Sequence, residues 1–263
     1  MNRLSHTFAI CAYKDSPYLE ECVRSVKNQK IKSDVIICTS TPSDYISKIA
    51  ARYDIPVYVR EGESDIKKDW NFAYDTASTQ WVTVAHQDDI YARTYTSYLW
   101  EKVKNTTNGL IFISDYYPLK NDRGNGYRRD PNSFIRHILR SPMKSRYLSS
   151  RIAFKKLILA LGNSICCPTV TYNKAMLGDS IFTSELKFNI DWDTFLKLAN
   201  MRGAFLYKDK PLVLYRIHDQ ATSKMFIDNQ KRVVEDRIMF SKFYPPVMVD
   251  IIMHFYKLAY KTY

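Results

Sequence analysis

The sequence predicts an α/β fold in which a mainly parallel sheet is flanked by helices. Two observations support this prediction. Short apolar runs, typical of buried strands, alternate along residues 7–115 with segments whose apolar residues repeat at helical spacing. The apolar runs are also followed by polar or charged residues. Strands that alternate with helices are typical of βαβ units, whose strands run parallel.

The first predicted strand is Thr7 to Tyr13. Ser16-Pro17 then resembles a capping residue followed by proline at the first helical position. One helical face is formed by Leu19, Cys22, Val23 and Val26. Val35 to Cys38 is the second strand, and Ser43 caps the helix after it. The apolar residues of that helix are Ile46, Ile49, Ala50 and Tyr53.

The same alternation continues through the next stretch of the chain. Ile55 to Val59 is predicted as the third strand. The following helix is marked by Ile66, Trp70, Ala73 and Ala77. Trp81 to Ala85 is the fourth strand, Tyr95 to Val103 a helix, and Leu110 to Ser114 the fifth strand.

Two adjacent carboxylates, Asp88 and Asp89, follow the fourth strand. Neighbouring like charges raise the cost of ionising each other, and a divalent cation removes that cost. Mg²⁺ and Mn²⁺ prefer oxygen ligands and are typically bound by carboxylates together with substrate phosphates. The pair therefore indicates a metal–diphosphate site. This stretch alone leaves an alternative equally open, a helix N-cap in which the acids interact with the helix dipole.

Polar residues follow five of the predicted strands. They are Tyr13 with Asp15, Thr39 to Thr41, Arg60 with Glu61, Asp88 with Asp89, and Asp115. Ligands of open α/β sheets bind beyond the carboxyl ends of the strands, which meet at one edge. Each group alone is typical of a solvated turn, but together they favour a nucleotide-type ligand.

Several short segments, taken in order, resemble one enzyme family. The first are Phe8-Ala9-Ile10-Cys11-Ala12-Tyr13-Lys14-Asp15, Tyr18-Leu19-Glu20-Glu21-Cys22 and Ser25-Val26-Lys27-Asn28-Gln29. The later ones are Asp69-Trp70-Asn71, the acidic pair, Asn189-Ile190-Asp191-Trp192-Asp193, and Leu214-Tyr215-Arg216-Ile217-His218 with Ser223. In this order they resemble the family-2 glycosyltransferases, which have the GT-A fold and use nucleotide sugars. The resemblance covers roughly residues 7 to 223.

The resemblance implies roles for individual residues. Asp89 and Asp88 would hold Mn²⁺ or Mg²⁺, and Asp191 would be the catalytic base, with Asp193 as its alternative. The expected nucleotide-sugar contacts are Ala12, Tyr13, Asp15, Thr39, Lys67, Asn71 and Asp88. The expected phosphate or acceptor contacts are His218, Arg216 and Trp192.

Structural roles compete with three of these assignments. Asp191 is also placed to cap the helix Trp192 to Ala199, Tyr13 could be a core residue, and His218 a hydrogen-bonded structural histidine. The chain also departs from the family pattern at Lys14, Thr39-Ser40, Trp70, His86 and Ile190. The family commonly has Asn, acidic residues, Arg, Asp and Glu at these positions. These departures leave the nucleotide preference less well specified than the sugar-transfer reaction that the resemblance implies.

Composition limits the remaining classes of protein. The chain has 263 residues, 46% of them hydrophobic, which suits one large globular domain. The seven glycines form neither a G-x-G-x-x-G nor a P-loop pattern, which argues against dinucleotide and Walker-type phosphate sites. Five cysteines without a C-x-x-C pair indicate reduced core thiols and a cytoplasmic protein. Neither a signal peptide nor a spanning helix is expected.

The positive charge is concentrated in one segment. Lys120 to Lys156 contains eleven Lys or Arg and two Asp, interleaved with apolar residues, in a chain of net charge +12. Such a segment suits an anionic membrane surface, which would place the protein peripherally at the inner face of a membrane. A solvated helical face is equally open. Nucleic acid is a weaker interpretation, because the fold points to sugar transfer.

Together with the resemblance to family-2 glycosyltransferases, these observations lead us to expect a GT-A catalytic domain over residues 1–224 and a C-terminal helical extension over 225–263. The catalytic domain would consist of a nucleotide-sugar-binding half (1–115), a basic helical insertion (120–160) and an acceptor-binding half (161–224). The expected function is inverting, non-processive transfer of one sugar from a nucleotide diphosphate, a UDP-sugar in our hypothesis, to a glycan or lipid-linked acceptor. Surface polysaccharide synthesis is the expected setting. The alternatives are a non-catalytic basic binding protein and a nucleotidyltransferase.

Overall fold

The computed structural model describes residues 4–120, 123–124, 131–218 and 231–256. The strands are β1 (His6–Ala12), β2 (Asp34–Thr39), β3 (Val57–Val59), β4 (Trp81–His86), β5 (Ile90–Tyr91), β6 (Gly109–Lys120), β7 (Arg123–Gly124), β8 (Val170–Asn173) and β9 (Ala204–Ile217). The helices are α1 (Leu19–Lys27), α2 (Asp44–Tyr53), α3 (Ile66–Thr76), α4 (Tyr95–Val103), α5 (Pro131–Arg140), α6 (Arg146–Ser149), α7 (Ile152–Ala160), α8 (Lys174–Leu177), α9 (Ile190–Ala199), α10 (Lys231–Ser241) and α11 (Pro246–Tyr256).

All nine strands described belong to one sheet, with the order β3-β2-β1-β4-β8-β6-β9-β5 and β7 beside β6. The first four strands of this order pair in parallel, as do β6 and β9. β8 runs antiparallel to both of its neighbours, so β6 points the same way as β4. The predicted α/β class with a mainly parallel sheet is confirmed. The antiparallel strands β5, β7 and β8 were not predicted.

Helices pack on both faces of the sheet because each carries an apolar stripe. On one face, buried residues of α1, α2 and α4 form a single cluster with the strands, which includes Leu19, Ile46 and Leu99. On the other face, α3, α7, α9, α10 and α11 contribute Tyr74, Leu159, Trp192, Phe240 and Met253. Burial of apolar surface on both sides fixes the sheet between two helical layers.

The fifth predicted strand, Leu110 to Ser114, is too short. β6 extends to Lys120 because it pairs with β9 along its whole length, with irregularities around Asp115. Asp115 consequently lies inside a strand and is fully buried, instead of standing at the polar edge. The partner strand β9 begins 95 positions after Gly109, and such a long-range pairing could not be inferred from local periodicity.

One predicted helix start is corrected, and another is confirmed. α1 begins at Leu19, and the Ser16 hydroxyl is used elsewhere, as described below. α4 begins at Tyr95, with Thr94 at its N-cap, and the short strand β5 separates it from the acidic pair. Asp88 and Asp89 therefore do not cap this helix, which removes the structural alternative to a ligand site. Ser43 caps α2 as predicted, since its hydroxyl accepts from the Ile46 N–H.

Candidate active site

Asp89 is buried just beyond the carboxyl end of β4, with only 2% of its surface exposed. Its Oδ1 accepts a hydrogen bond from the backbone N–H of Arg216 at 2.9 Å. Its Oδ2 has no hydrogen-bond partner among the described residues. Burial, together with the charge of Asp88, raises the pKa of the Asp89 carboxyl well above its usual range. A buried carboxylate oxygen without a partner is a fitting ligand for a divalent cation.

Asp88 is more exposed than Asp89 and is held from two sides. Ser16 donates its hydroxyl to Oδ1 at 3.0 Å. His218, at the end of β9, places Nε2 3.3 Å from Oδ2. The acidic pair and this histidine therefore converge on one place, although 130 positions separate them in the sequence. The two carboxylates and the imidazole are ligand types that Mn²⁺ accepts in proteins.

The Arg216 side chain fixes this arrangement. Its Nε donates to the backbone oxygen of Asp88 at 3.0 Å, and its guanidinium pairs with Glu21 and lies 4.2 Å from the ring centre of Tyr18. The side chain is 4% exposed. The guanidinium is thus engaged with α1 and the acidic loop, and its contacts favour a positioning role over a direct contact to phosphate.

His86 and Trp70 form an aromatic wall beside the acidic pair. Their rings stack with centroids 5.2 Å apart, and Phe182 packs edge-on against Trp70. Burial lowers the pKa of His86 to about 4, so its imidazole is neutral at neutral pH. His86 Nδ1 lies 3.9 Å from Asp89 Oδ2. These two departures from the family pattern, Trp70 and His86, therefore pack on each other.

The loops after β1 and β2 are joined by hydrogen bonds. Gln87 holds Tyr13 on both sides, accepting from its backbone N–H at 2.9 Å and donating to its carbonyl at 3.0 Å. The Tyr13 side chain is 46% exposed. Ala12 pairs in register with Thr39, and Asp15 accepts a hydrogen bond from Ser43. The Tyr13 ring therefore stands on a fixed backbone and faces solvent, so it is not a core residue.

The start of α3 is tied to the end of β3 through Asp69. Its carboxylate accepts from Arg60 at 2.7 Å and from the hydroxyls of Ser40 and Ser64. The Asn71 side-chain amide donates to the Phe182 carbonyl at 2.9 Å and accepts from the Phe182 N–H at 3.0 Å. Lys67 lies 3.7 Å from Glu185. Asn71 therefore orders a neighbouring loop, while Lys67 keeps only a long ion pair.

Asp191 lies in the first turn of α9 and is half-buried. Asn163 donates to its Oδ2 and the Trp192 N–H donates to its Oδ1, both at 2.8 Å. Burial raises the pKa of Asp191 to about 6, and these hydrogen bonds oppose the rise. A carboxylate that titrates near the operating pH is suited to accept a proton from a substrate hydroxyl. The N-cap of α9 is Asn189, so Asp191 does not occupy that position.

Asp193 and Trp192 have different surroundings, despite their neighbouring positions. Asp193 is 4% exposed and pairs with Lys242 at 2.5 Å and Lys197 at 3.1 Å. Although burial opposes it, the hydrogen bonds from these partners and Ser184 lower the pKa of Asp193. Trp192 is fully buried, donates to the Leu159 carbonyl and packs on Phe240. Its ring contributes to the core, so an acceptor contact for Trp192 is not proposed.

Asp89 and Asp191 both raise the pKa values of two adjacent thiols, those of Cys166 and Cys167. Burial raises the pKa values of Cys166 and Cys167, and both carboxylates add to that rise. All five cysteines are free thiols, as the sequence predicted. The segment around Cys166 therefore lies within electrostatic reach of both Asp89 and Asp191.

A second group of ligand atoms lies apart from these residues. Within the described parts of the chain, one atom each of Asp115, His137 and Asp209 lie within 4.8 Å of one another, close enough to hold a metal ion. Asp115 already binds Arg140 at 2.6 Å, His137 at 2.8 Å and the Tyr207 hydroxyl at 2.6 Å, and Lys144 pairs with Asp209. These cations balance both carboxylates, which favours a structural ion-pair network.

Three contributors to the site were missed by the sequence interpretation. They are Asn163, Gln87 and the backbone N–H of Arg216. Nothing in the local pattern singles out Asn163, which is isolated between helical and irregular segments. Gln87 lies directly before the acidic pair, and its position could have suggested a contact with the loop after β1.

Sequence comparison gives the family. The model of Glycosyl transferase family 2 matches residues 7–167, more than half of the chain. The chain belongs to glycosyl transferase family 2. No curated protein sequence matches it.

Solved structures share the fold of this family-2 chain, which is of the GT-A type. S. aureus TarS 1-349 in complex with UDP-GlcNAc is 16% identical, with a TM-score of 0.63 over 95% of this chain and 70% of that one. The mannosyltransferase PcManGT from Pyrobaculum calidifontis, in complex with GDP-Man and Mn²⁺, is 16% identical with a TM-score of 0.63 over 96% and 69%. Glucosyl-3-phosphoglycerate synthase from Mycobacterium tuberculosis, with Mn²⁺ and UDP-Glc, is 11% identical with a TM-score of 0.55 over 88% and 76%.

Among the helices described, none is both long and apolar enough to cross a membrane.

Proposed function

We propose that this protein transfers one sugar from a nucleotide diphosphate donor to an acceptor hydroxyl, with inversion at the anomeric carbon and with the help of a divalent cation. The observation that carries the proposal is the buried Oδ2 of Asp89, which has no hydrogen-bond partner among the described residues, while Oδ1 accepts from the Arg216 N–H. An unpaired buried carboxylate is costly. A cation bound together with a diphosphate offsets that cost.

Asp89 and Asp88 would hold Mn²⁺ or Mg²⁺, and His218 lies where it could complete the ligand set. Such a cation supplies Lewis-acid stabilisation of the negative charge that grows on the departing diphosphate. Ser16 and Arg216 keep the Asp88 carboxylate and backbone in place. Mn²⁺ accompanies GDP-Man in PcManGT and UDP-Glc in the mycobacterial synthase, which supports this assignment.

Asp191 would accept the proton of the acceptor hydroxyl as that oxygen attacks. Its pKa of about 6 keeps it ionised at neutral pH and still basic enough to take a proton. Asn163 holds the carboxylate in one orientation. Asp193 is the weaker candidate, because two lysines already neutralise it. Attack from the side opposite the diphosphate would invert the anomeric configuration.

The donor would bind across the loops after β1 and β2. The exposed ring of Tyr13 offers a surface on which a nucleobase can stack. Ala12, Asp15 and Thr39 lie at the same edge of the sheet and would contact the nucleoside, with Lys67 and Asp88 nearer the diphosphate. Asn71 would act through the Phe182 backbone. The neighbours' complexes with UDP, UDP-GlcNAc and GDP-Man support this donor class, and we propose a UDP-sugar.

We further propose a glycan or lipid-linked acceptor, as in surface polysaccharide synthesis, and single, non-processive additions in the cytoplasm at the inner face of a membrane. We also propose that residues 1–115 bind the nucleotide sugar and residues 161–224 bind the acceptor. Residues 120–160 would be a basic helical insertion, and residues 225–263 a C-terminal helical extension. The range 1–115 carries the acidic pair, and the range 161–224 carries Asp191.

The test is a screen of nucleotide sugars with and without Mn²⁺, read as release of free nucleoside diphosphate. We expect nucleoside diphosphate to be released from one group of nucleotide sugars. This release should require the metal and should be slower in Asp191→Asn. Metal-dependent donor binding without any release, even when glycan and lipid-linked acceptors are supplied, would favour a non-catalytic binding protein. Release of pyrophosphate from a nucleoside triphosphate and a sugar phosphate would favour a nucleotidyltransferase.

A further inference from the structure

Helix α5 is amphipathic in the reverse sense: its polar side faces the protein and its apolar side faces solvent. Ser133 and Arg140 are buried at 1% and 0% exposure. Phe134, Ile135 and Ile138 are 45%, 53% and 52% exposed. A surface helix of a globular protein ordinarily turns its apolar stripe to the core. We call these three exposed residues the α5 face.

The polar side of α5 is held in place by specific partners. Arg140 and His137 bind the buried carboxylate of Asp115, and Arg136 donates to the Tyr116 hydroxyl at 3.2 Å. Turning the apolar side inward would leave Asp115 buried without its cation, which is strongly unfavourable. The exposed orientation of the α5 face is therefore fixed by the protein.

Helix α7 packs Ile158 and Leu159 in the core but shares two features with α5, a buried cation and exposed aliphatic side chains. Lys155 is fully buried and donates its ammonium to the carbonyls of Met201 and Gly203, at 2.6 and 2.8 Å. Ile152, Leu157 and the following Leu161 are 40%, 52% and 56% exposed. Two helices of the same segment thus bury a cation and expose large aliphatic side chains.

The charge of this segment has one sign only. Residues 131–161 contain seven Lys or Arg and no Asp or Glu. Arg140 and Lys155 are buried and Lys144 pairs with Asp209, but Arg146 and Arg151 are exposed. Apolar side chains flanked by exposed cations are typical of helices that lie in the interface of an anionic bilayer.

We propose that the α5 face, with the exposed cations that follow it, docks this protein onto an anionic lipid bilayer. The side chains of Phe134, Ile135 and Ile138 enter the boundary between headgroups and acyl chains, while the cations contact lipid phosphates. This deepens the proposed function by naming the surface that meets the membrane, but docking does not require sugar transfer to occur.

Another helix with exposed apolar residues, α11, provides a matched control. α11 presents Ile251 at 56% exposure, close to the values of Ile135 and Ile138. It also carries Asp250, which pairs with Arg237 of α10. Residues 246–256 contain this one Asp and no Lys or Arg, so they lack the complementarity with anionic lipid that residues 131–161 have.

The experiment is co-sedimentation of the full chain with phosphatidylcholine vesicles that contain about one-third phosphatidylglycerol, or none. We expect binding to the anionic vesicles that weakens as salt is raised. Ile135→Ser with Ile138→Ser should lower the partition constant about tenfold or more, because two large apolar side chains no longer enter the bilayer. Ile251→Ser should leave it unchanged, and melting temperature and nucleotide-sugar hydrolysis without vesicles should be retained in all variants.

Three results would overturn the proposal: no binding of the wild type to anionic vesicles at low salt, equal binding to neutral vesicles, or an equal loss in Ile251→Ser. Self-association that disappears in the α5 double variant, without vesicle binding, would assign the α5 face to a second copy of the chain. Because hydrolysis is measured without vesicles, failure of docking leaves the transferase proposal to its own test.

Discussion

The buried carboxylate of Asp89 accepts the backbone N–H of Arg216 across 127 positions of sequence. This hydrogen bond joins the end of β4 to the end of β9. The other carboxylate oxygen has no hydrogen-bond partner among the described residues. A backbone donor cannot be removed by substituting a side chain, so the orientation of Asp89 depends on the pairing of β9 with its neighbours.

Asp89→Asn should leave the protein folded and abolish metal-dependent sugar transfer. The amide can still accept from the Arg216 N–H, but it cannot supply an anionic ligand oxygen. Stability should not fall, since the substitution removes a buried charge whose Oδ2 has no hydrogen-bond partner among the described residues. The measurements are the melting temperature, Mn²⁺ binding by calorimetry and transfer rate. Transfer at the wild-type rate, or full wild-type activity in excess EDTA, would exclude this metal site.

Asp209→Asn separates the two groups of metal-ligand candidates. Asp209 belongs to the cluster with Asp115 and His137 and is partly exposed, so the substitution should be tolerated. We expect Mn²⁺ affinity and transfer to remain within about twofold of the wild type, the range of a surface change. If Asp209→Asn loses Mn²⁺ binding while Asp89→Asn retains it, the metal site is the cluster of Asp115, His137 and Asp209 instead.

Asp191→Asn should lower turnover by about 10² or more while donor affinity stays similar, the usual effect of removing a positioned general base. Asp193→Asn should reduce turnover far less, because its carboxylate is neutralised by lysines. Steady-state kinetics with separate kcat and KM values distinguish the roles. Unchanged turnover together with weakened donor binding in Asp191→Asn would make Asp191 a binding residue.

The same pair of variants should change stability in opposite directions. The pKa of Asp191 is raised to about 6, so its ionised form destabilises the fold, and this cost appears as pH rises through that value. Asp191→Asn should therefore stabilise the protein by on the order of 2 kcal/mol at about pH 8, with little change at about pH 3.5.

Asp193 has a lowered pKa, so its ionised form stabilises the fold above the ordinary carboxyl pKa, and this stability is lost as pH falls. Asp193→Asn should cost about 1–3 kcal/mol at neutral pH through the lost bonds to Lys197 and Lys242. Urea unfolding at several pH values measures both effects. Equal destabilisation by the two substitutions would contradict the assigned environments.

Wild-type kcat should fall as pH decreases through about 6, since protonated Asp191 cannot accept a proton. The acidic limb should remain in Asp193→Asn, whose base is intact. A pH–rate profile at saturating donor and metal provides the measurement. A flat profile down to about pH 5, with metal binding still complete, would argue against Asp191 as the base.

Tyr13→Ala should raise the KM for the donor about tenfold by removing the stacking surface, with a smaller effect on kcat. Tyr13→Phe should retain affinity, because the ring is kept. Tyr58→Ala is the matched control, since Tyr58 on β3 is similarly exposed at 42%. Equal effects of the two alanine substitutions would show that Tyr13 has no special contact with the base.

Local sequence patterns determined most of the front half of this fold. The apolar runs and helical stripes up to Val103 lie in the expected elements, because burial of one face imposes a period on each element. The same reasoning placed the acidic pair at the carboxyl edge of a parallel sheet. The family resemblance, now confirmed by the match over residues 7–167, came from the order of short motifs.

Only the tertiary structure decided which carboxylates are neutralised. Asp115, Asp191 and Asp193 resemble each other in sequence, yet one is bound by Arg140, one by Asn163, and one by two lysines. Likewise, the reversed orientation of α5 follows from the buried charge of Asp115 and not from its own periodicity. A period shows that a helix has two faces, but the partners across the fold determine which face is buried.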